Sequence, residues 1–325
     1  MTEIVALGEI TCPSGELVLM DGGYLSLWSG DRAPEEERAE GIPPGVDFEI
    51  VGPDAEAAAR AFDRQAGQTL YDIPEHALAE FEQSFEEHRR QHGHDARLRR
   101  FAGQVPHRER VRRAVAGGQP GFVVSGVPVV VVGGVPTDRR LPVTAVPDGE
   151  WGWRHVRIQL GDGPVVRRRE LGPIGVDWAR FVFADADALN SWVHERPIDG
   201  LADVVFWGRD EAALAAEFGV GRVGEDGFGW LNLPAGEAFE KAVVLQERRG
   251  TSPAQGFNFD FRPHSHHWQV MAGVRAAEHE AATIQVGGAE LMFAMTSVGD
   301  GYFPVEVEVD EGGAPVAIQI SIQTD

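Results

Sequence analysis

Cysteine is all but missing from this chain: Cys12 stands alone among 325 residues. One thiol forms no internal disulfide and builds no cysteine-based zinc cage, so a reducing compartment, the cytoplasm, is the expected setting. Lysine is as scarce. The 29 basic residues are Lys241 and 28 arginines, an imbalance we read as the codon bias of a GC-rich genome rather than as chemistry. Long hydrophobic runs are absent too. The longest, Val127-Pro128-Val129-Val130-Val131-Val132, is far shorter than the roughly 20 residues of a bilayer span. The opening Met1-Thr2-Glu3-Ile4 has no basic stretch leading into an apolar one, so no secretory leader is expected. Positive charge is in deficit overall. A net charge of −22 repels phosphate and argues against general nucleic-acid or anionic-membrane binding.

What is present suits a folded protein. With 43% hydrophobic residues the chain can bury a sizeable core, in one large domain or two ordinary ones. Its charge is unevenly placed. Nine arginines fall between Arg89 and Arg113 against only Asp95 and Glu109, whereas Ala276 to Asp325 carries nine carboxylate side chains and no Lys or Arg. Such asymmetry marks a partner surface, or two halves of one molecule that face each other.

Periodicity gives an α+β fold class. Ile10 to Trp28 reads as short strands broken at Pro13-Ser14-Gly15 and Asp21-Gly22-Gly23, and Asp31 to Gly45 as an exposed loop. Helices are expected after Asp54, after Pro74 (with Leu78, Phe81 and Phe85 at helical spacing) and after Pro106. From Gly121 to Leu171, β-branched runs separated by Gly and Pro predict an antiparallel sheet, with Trp151 to Leu160 joined to Val165 to Leu171 at Gly161-Asp162-Gly163. A domain boundary is placed near Gly172-Pro173, giving units 1–172 and 173–325. Asp177 to Gly221 alternates strand and helix like a βαβ unit. Pro234 opens another helix. Thr283 to Gln323 then reads as a four-stranded antiparallel meander.

Two constellations stand out as candidate sites. The first is Arg262-Pro263-His264-Ser265-His266-His267-Trp268. If extended, His264 and His266 point the same way and suit a divalent metal, with His279, Glu278 or Glu280 as a third ligand. If Ser265 instead caps a helix, the imidazoles and Arg262 crowd an N-terminus that receives anions. Trp268, Met271 and Val274 share a helical face and favour the helix. Packing of the histidines against backbone and aromatics is the plainer reading. The second is Val305-Glu306-Val307-Glu308-Val309-Asp310, whose valines share one face and whose carboxylates share the other. The strand expected beside it, Val316 to Gln323, offers no basic residue. Glu306, Glu308 and Asp310 therefore form an uncompensated acidic row, suited either to keeping a sheet edge soluble or to a basic protein partner.

Weaker signals have plainer explanations. Asp300 in Gly299-Asp300-Gly301 suits calcium less than it suits a turn, and one of Asp185 and Asp187 serves as a helix cap. Gly219 to Gly229 lacks the Lys-Ser/Thr of a phosphate loop. The arginine island (Arg97, Arg99, Arg100, Arg108, Arg110, Arg112, Arg113) grips phosphate in one reading. In the plainer one it is solvated helix faces balancing Glu82, Glu86 and Glu87.

Several segments carry a resemblance. Val176-Asp177-Trp178-Ala179-Arg180, Phe183 to Leu189, Trp192 to Glu195, Asp199 to Asp203, Phe206 to Asp210, Phe261 to Trp268 and Gly299-Asp300-Gly301-Tyr302-Phe303-Pro304-Val305 resemble a group of uncharacterised actinobacterial proteins. The last also resembles the closing hairpin of a wider bacterial domain of unknown function. The resemblance implies a cytoplasmic actinobacterial origin and brings no activity, cofactor or catalytic residue. At Ala277-Glu278-His279-Glu280 the chain departs from the Ser/Thr pattern of that group. Two functional expectations follow. One is a non-enzymatic acidic binding protein, toxin-neutralising or regulatory, that uses its C-terminal sheet face. The other is a metal- or anion-dependent enzyme centred on His264, His266 and His267, with Asp185 or Glu278 assisting.

Overall fold

Period-two alternation builds most of this protein. In the strand Arg140–Asp148, Leu141, Val143 and Ala145 are buried while Arg140 and Pro142 face water, as in a sheet with one face on a core. The computed structural model describes residues 3–37, 45–62, 67–149, 152–224, 227–251 and 256–322. Among these the strands form four sheets, all paired antiparallel. No helix among the described residues is long and apolar enough to cross a membrane.

Packing separates two units, residues 1–192 with 273–325, and residues 193–272. In the first unit one six-stranded sheet runs Val5–Thr11, Arg140–Asp148, Gly152–Gln159, Pro315–Ser321, Gly301–Val309, Arg167–Val176. The other runs Ala281–Val286, Ala289–Met295, Arg180–Asp185, Glu16–Asp21, Val127–Gly133, Gly121–Val124. Their inner faces share one core: Ile10, Val143, Ile158, Ile174 and Ile318 of the first meet Leu17, Val130, Phe181, Phe183 and Met292 of the second, all fully buried. Each such side chain is worth about 1.5–3 kcal/mol over its exposed state, so the shared core dominates the energetics of the sheet pair. A three-stranded sheet (Thr69–Pro74, Gly45–Val51, Arg97–Arg100) and the helices Ala55–Phe62 and Leu78–His92 enclose a separate cluster around Phe48, Ile50 and Phe85. The longer helix stops at Gly93, whose φ of 69° is a left-handed conformation that glycine adopts without a Cβ clash.

The second unit has its own core. The sheet Arg222–Val223, Gly227–Pro234, Leu201–Trp207, Asn258–Pro263 packs Val204 and Phe206 against Leu214, Ala238 and Leu245 of the helices Glu211–Phe218 and Ala235–Thr251.

The expected α+β class with a closing meander does not hold. The protein is sheet-rich, and its largest sheets have six strands. Four strands do occur between Ala281 and Ser321, but they are two hairpins in different sheets. Local periodicity marks a strand; only the inward apolar row chooses its neighbours. The βαβ reading of Asp177 to Gly221 fails for the same reason. Arg180–Asp185 and Leu201–Trp207 lie in different sheets, each beside antiparallel neighbours, and only a 3-10 turn, Ala188–Ser191, forms between them. Gly172-Pro173 falls inside the strand Arg167–Val176. Part of the loop expected from Asp31 to Gly45 (38–44), as well as Trp151 and Gln323, lies outside the described residues.

Candidate functional site

The acidic row is only partly open to solvent. Glu308 is buried at 3% exposure. It accepts hydrogen bonds from Arg157 Nη2 at 2.8 Å and pairs with Arg168 Nη2 at 2.9 Å. Both arginines come from strands that the sequence reading did not place here. Arg168 lies directly across from Glu308 on Arg167–Val176, and Arg157 lies on Gly152–Gln159, one strand beyond Pro315–Ser321. Asp310 turns back into its own hairpin, where Oδ1 accepts the Ala314 N–H at 2.9 Å. Glu306 stands between Glu170 and Gln319. The row expected to be uncompensated is therefore neutralised at Glu308 by its own scaffold and used as a turn cap at Asp310.

The histidine segment folds as the helix His266–Ala276, with Ser265 Oγ accepting the Trp268 N–H at 3.3 Å. Its imidazoles take separate partners. His264 sits between two carboxylates, Nδ1 at 2.9 Å from Asp199 and Nε2 at 3.1 Å from Asp203. Burial lowers its pKa, but the two carboxylate hydrogen bonds outweigh that and raise it above the usual value. Both ring nitrogens are engaged, which leaves no lone pair aimed at a metal. His266 Nδ1 accepts the Val193 N–H at 3.0 Å, and burial lowers its pKa. His267 stacks on His194 at 4.2 Å, and Arg262 reaches Asp260 at 3.2 Å and the Trp268 ring at 5.8 Å. His279 meets Trp153 edge-on at 5.9 Å. Among the described residues no group of three or more His, Cys, Asp or Glu side chains is arranged to hold a metal ion.

The remaining candidates make structural contacts. Asp185 is wholly buried and accepts the N–H groups of Ser14 (2.7 Å), Asp187 and Ala188 (both 2.9 Å), so it caps the 3-10 turn. Burial, with Asp185 beside it, pushes the Cys12 thiol upward. The arginine island divides. Arg99 and Arg113 pair with Glu49 and Glu109 near the surface, whereas Arg110 is fully buried. Its guanidinium binds Asp72 twice at 2.7 Å and the carbonyls of Val105 (2.9 Å) and Val123 (3.0 Å), over the Tyr71 ring. Arg108 is buried too, bridging Glu16 and Asp187. Neither a phosphate grip nor a solvated helix face describes these two; the packing of His107–Ala116 against the sheet turns them inward.

A group that sequence reading did not single out has the geometry of a recognition surface. Three aspartate-led segments meet at one corner of the sheet pair: Asp21 to Tyr24, Asp177-Trp178, and Asp300 to Tyr302. Pairing brings them together, since Asp21 lies opposite Phe181 and Val176 opposite Gly301. The fully buried Asp21 carboxylate accepts three N–H groups, from Gly23 (2.7 Å), Asp177 (2.6 Å) and Trp178 (3.0 Å). Burial raises its pKa against the pull of those hydrogen bonds. Asp300 accepts the Ala179 N–H at 3.0 Å, and Tyr24 Oη donates to Asp177 at 2.7 Å. Burial, then Asp177, pushes the Tyr24 phenol upward. The indole of Trp178 lies on Gly23, where any side chain would collide with it, while Arg180 approaches the ring at 5.8 Å. Despite this clamping Trp178 is 59% exposed and Tyr302 72%. The signal was present in the chain: two of its three tyrosines, and this tryptophan, each follow an aspartate by one to three residues.

Comparison with family models, with curated proteins and with solved structures gives no match. The functional reading therefore rests on this chain's own residues.

Proposed function

We propose that this protein is a non-enzymatic binding protein that recognises an arginine-bearing segment of a basic partner at the corner formed by Trp178, Tyr302, Tyr24, Asp177 and Asp300. The observation that carries the reading is the pairing of rigidity with exposure. Asp21 and Asp300 fix the backbone from Asp177 to Ala179, yet that backbone presents an indole to water. A clamped aromatic binds without a large loss of side-chain freedom, and exposed Trp and Tyr are frequent anchors of protein interfaces. Exposed carboxylates at Asp177 and Asp300 beside aromatic faces suit a guanidinium, which stacks on the ring and pairs with the acid. The net charge of −22 steers a cationic partner toward the surface and discourages an acidic one.

The test is a fluorescence titration of the full chain with an arginine-containing peptide and a glutamine-substituted control, at low and high salt. Saturable binding of the first peptide is expected, weakening with salt and at least about tenfold poorer in Trp178→Ala and Asp177→Asn, as for loss of an interface anchor. Equal binding of the neutral peptide, or undiminished binding by Trp178→Ala, would overturn the reading.

A further inference from the structure

A cavity of about 270 Å³ lies where strands of the two six-stranded sheets meet the residues around Gln119. Val131, Val132, Leu171, Val307 and Val309, from strands of both sheets, line part of it, and Gln119 with glycine and proline residues lines much of the rest. All five belong to the buried apolar set, none more than 6% exposed. Arg169 is the only charged lining residue. It stands opposite the buried Val307 in the strand register, just before the bulge at Leu171. Its guanidinium makes no ion pair or hydrogen bond with any described residue, in contrast to Arg168 next to it, which is held by Glu308. Arg167, two residues earlier on the same face, is likewise exposed.

A slot of mixed polar and apolar lining, with valine and leucine walls and one unpaired guanidinium, has a definite chemical complement. Hydrocarbon surface is drawn into the valine-lined space, and a carboxylate is the group a guanidinium binds most strongly through paired, charge-assisted hydrogen bonds. The net charge of −22 opposes anions in general, so the selection here comes from the local guanidinium of Arg169, which repels a cation and pairs with an anion at contact distance. The volume, roughly nine waters at about 30 Å³ each, has room for a molecule of about ten non-hydrogen atoms. We infer that this cavity binds a small monocarboxylate with an unbranched apolar body, of the size of an eight-carbon acid, its carboxylate on Arg169 and its chain between the two sheets. This assignment is independent of the aromatic corner and uses none of its residues.

Isothermal titration of the full chain with octanoate, octanamide, octylamine and acetate tests it. Octanoate is expected to bind saturably at one site and at least tenfold more tightly than octanamide, while octylamine and acetate give no saturable heat. Arg169 is exposed, so Arg169→Gln leaves folding intact; it is expected to weaken octanoate at least tenfold and to bring it level with octanamide. Val115→Phe, at the partly exposed wall of the cavity, is expected to weaken both ligands together. The inference is overturned by absence of saturable octanoate binding, by equal affinity for octylamine, or by octanoate affinity that Arg169→Gln leaves unchanged.

Discussion

His107 makes the stability of this protein depend on pH in a way that can be measured. The imidazole is 2% exposed, stacks on Trp28 at 5.2 Å, and accepts the Ser29 N–H on Nδ1 at 2.9 Å. Burial first, and the Arg110 cation second, hold its pKa down at about 3 against an ordinary 6.5. The folded state therefore keeps the ring neutral where the unfolded state protonates it. Between those two values unfolding takes up a proton, so stability is full above about pH 6.5 and is lost as pH falls toward 3. At about 1.4 kcal/mol per pH unit the whole gap is worth about 5 kcal/mol, of which about 3 is lost by pH 4. Asp47 works in the other direction. Burial raises it to about 6 despite Arg110, so its contribution is greatest below the unfolded value of 3.8 and is lost as pH rises through 6. The two partly cancel in the wild type, and a variant is needed to separate them. In His107→Gln, where the amide oxygen can still accept the Ser29 N–H, urea denaturation at pH 7.5 and pH 4 is expected to show about 3 kcal/mol less acid-induced loss than in the wild type. Parallel stability–pH curves for the two proteins would refute the argument.

Arg110→Met leaves Asp47 and Asp72 buried without their cation and is expected to cost about 3–5 kcal/mol in urea denaturation, with much of the loss recovered by adding Asp72→Asn. Glu308→Ala leaves Arg157 and Arg168 facing each other; because Arg168 is half exposed, the cost by thermal unfolding is about 2 kcal/mol rather than that of a fully buried pair. In an NMR titration His264 is expected to titrate above the ordinary histidine value in the wild type and lower in Asp203→Asn, and an unshifted His264 in that variant would remove the two-carboxylate account. Gly23→Ala displaces the Trp178 indole, so its emission is expected to shift relative to wild type while Trp178→Ala abolishes the difference.

Much of the local structure was legible in the chain. Helices form after Pro74 and Pro106 and after Asp210 and Pro234 because the apolar spacing and the proline or aspartate at the first turn act within a few residues. The strands between Gly121 and Val176 follow from alternation and glycine–proline punctuation. Strands with weak alternation were not legible. Gly45–Val51, Thr69–Pro74 and Arg97–Arg100 carry charges or turn residues and become strands only by pairing with each other. The histidine helix was read correctly, whereas the partners of its imidazoles, Asp199, Asp203 and the Val193 amide, lie 61 to 73 residues away and leave no local trace.

Local residue order sets which stretches are apolar on one side, where the chain turns, that it is strongly acidic, and which side chains are available for chemistry. Tertiary structure alone decided which strands are neighbours, and with that the charge state of every face. Glu308 is an open acid on its own hairpin and a buried ion-pair partner once Arg157 and Arg168 are brought from 151 and 140 residues earlier in the chain. The physical reason is range. Propensity and capping act over about one turn of helix or one hairpin, whereas neutralising a carboxylate or walling a cavity requires groups that only the burial of a shared core brings together.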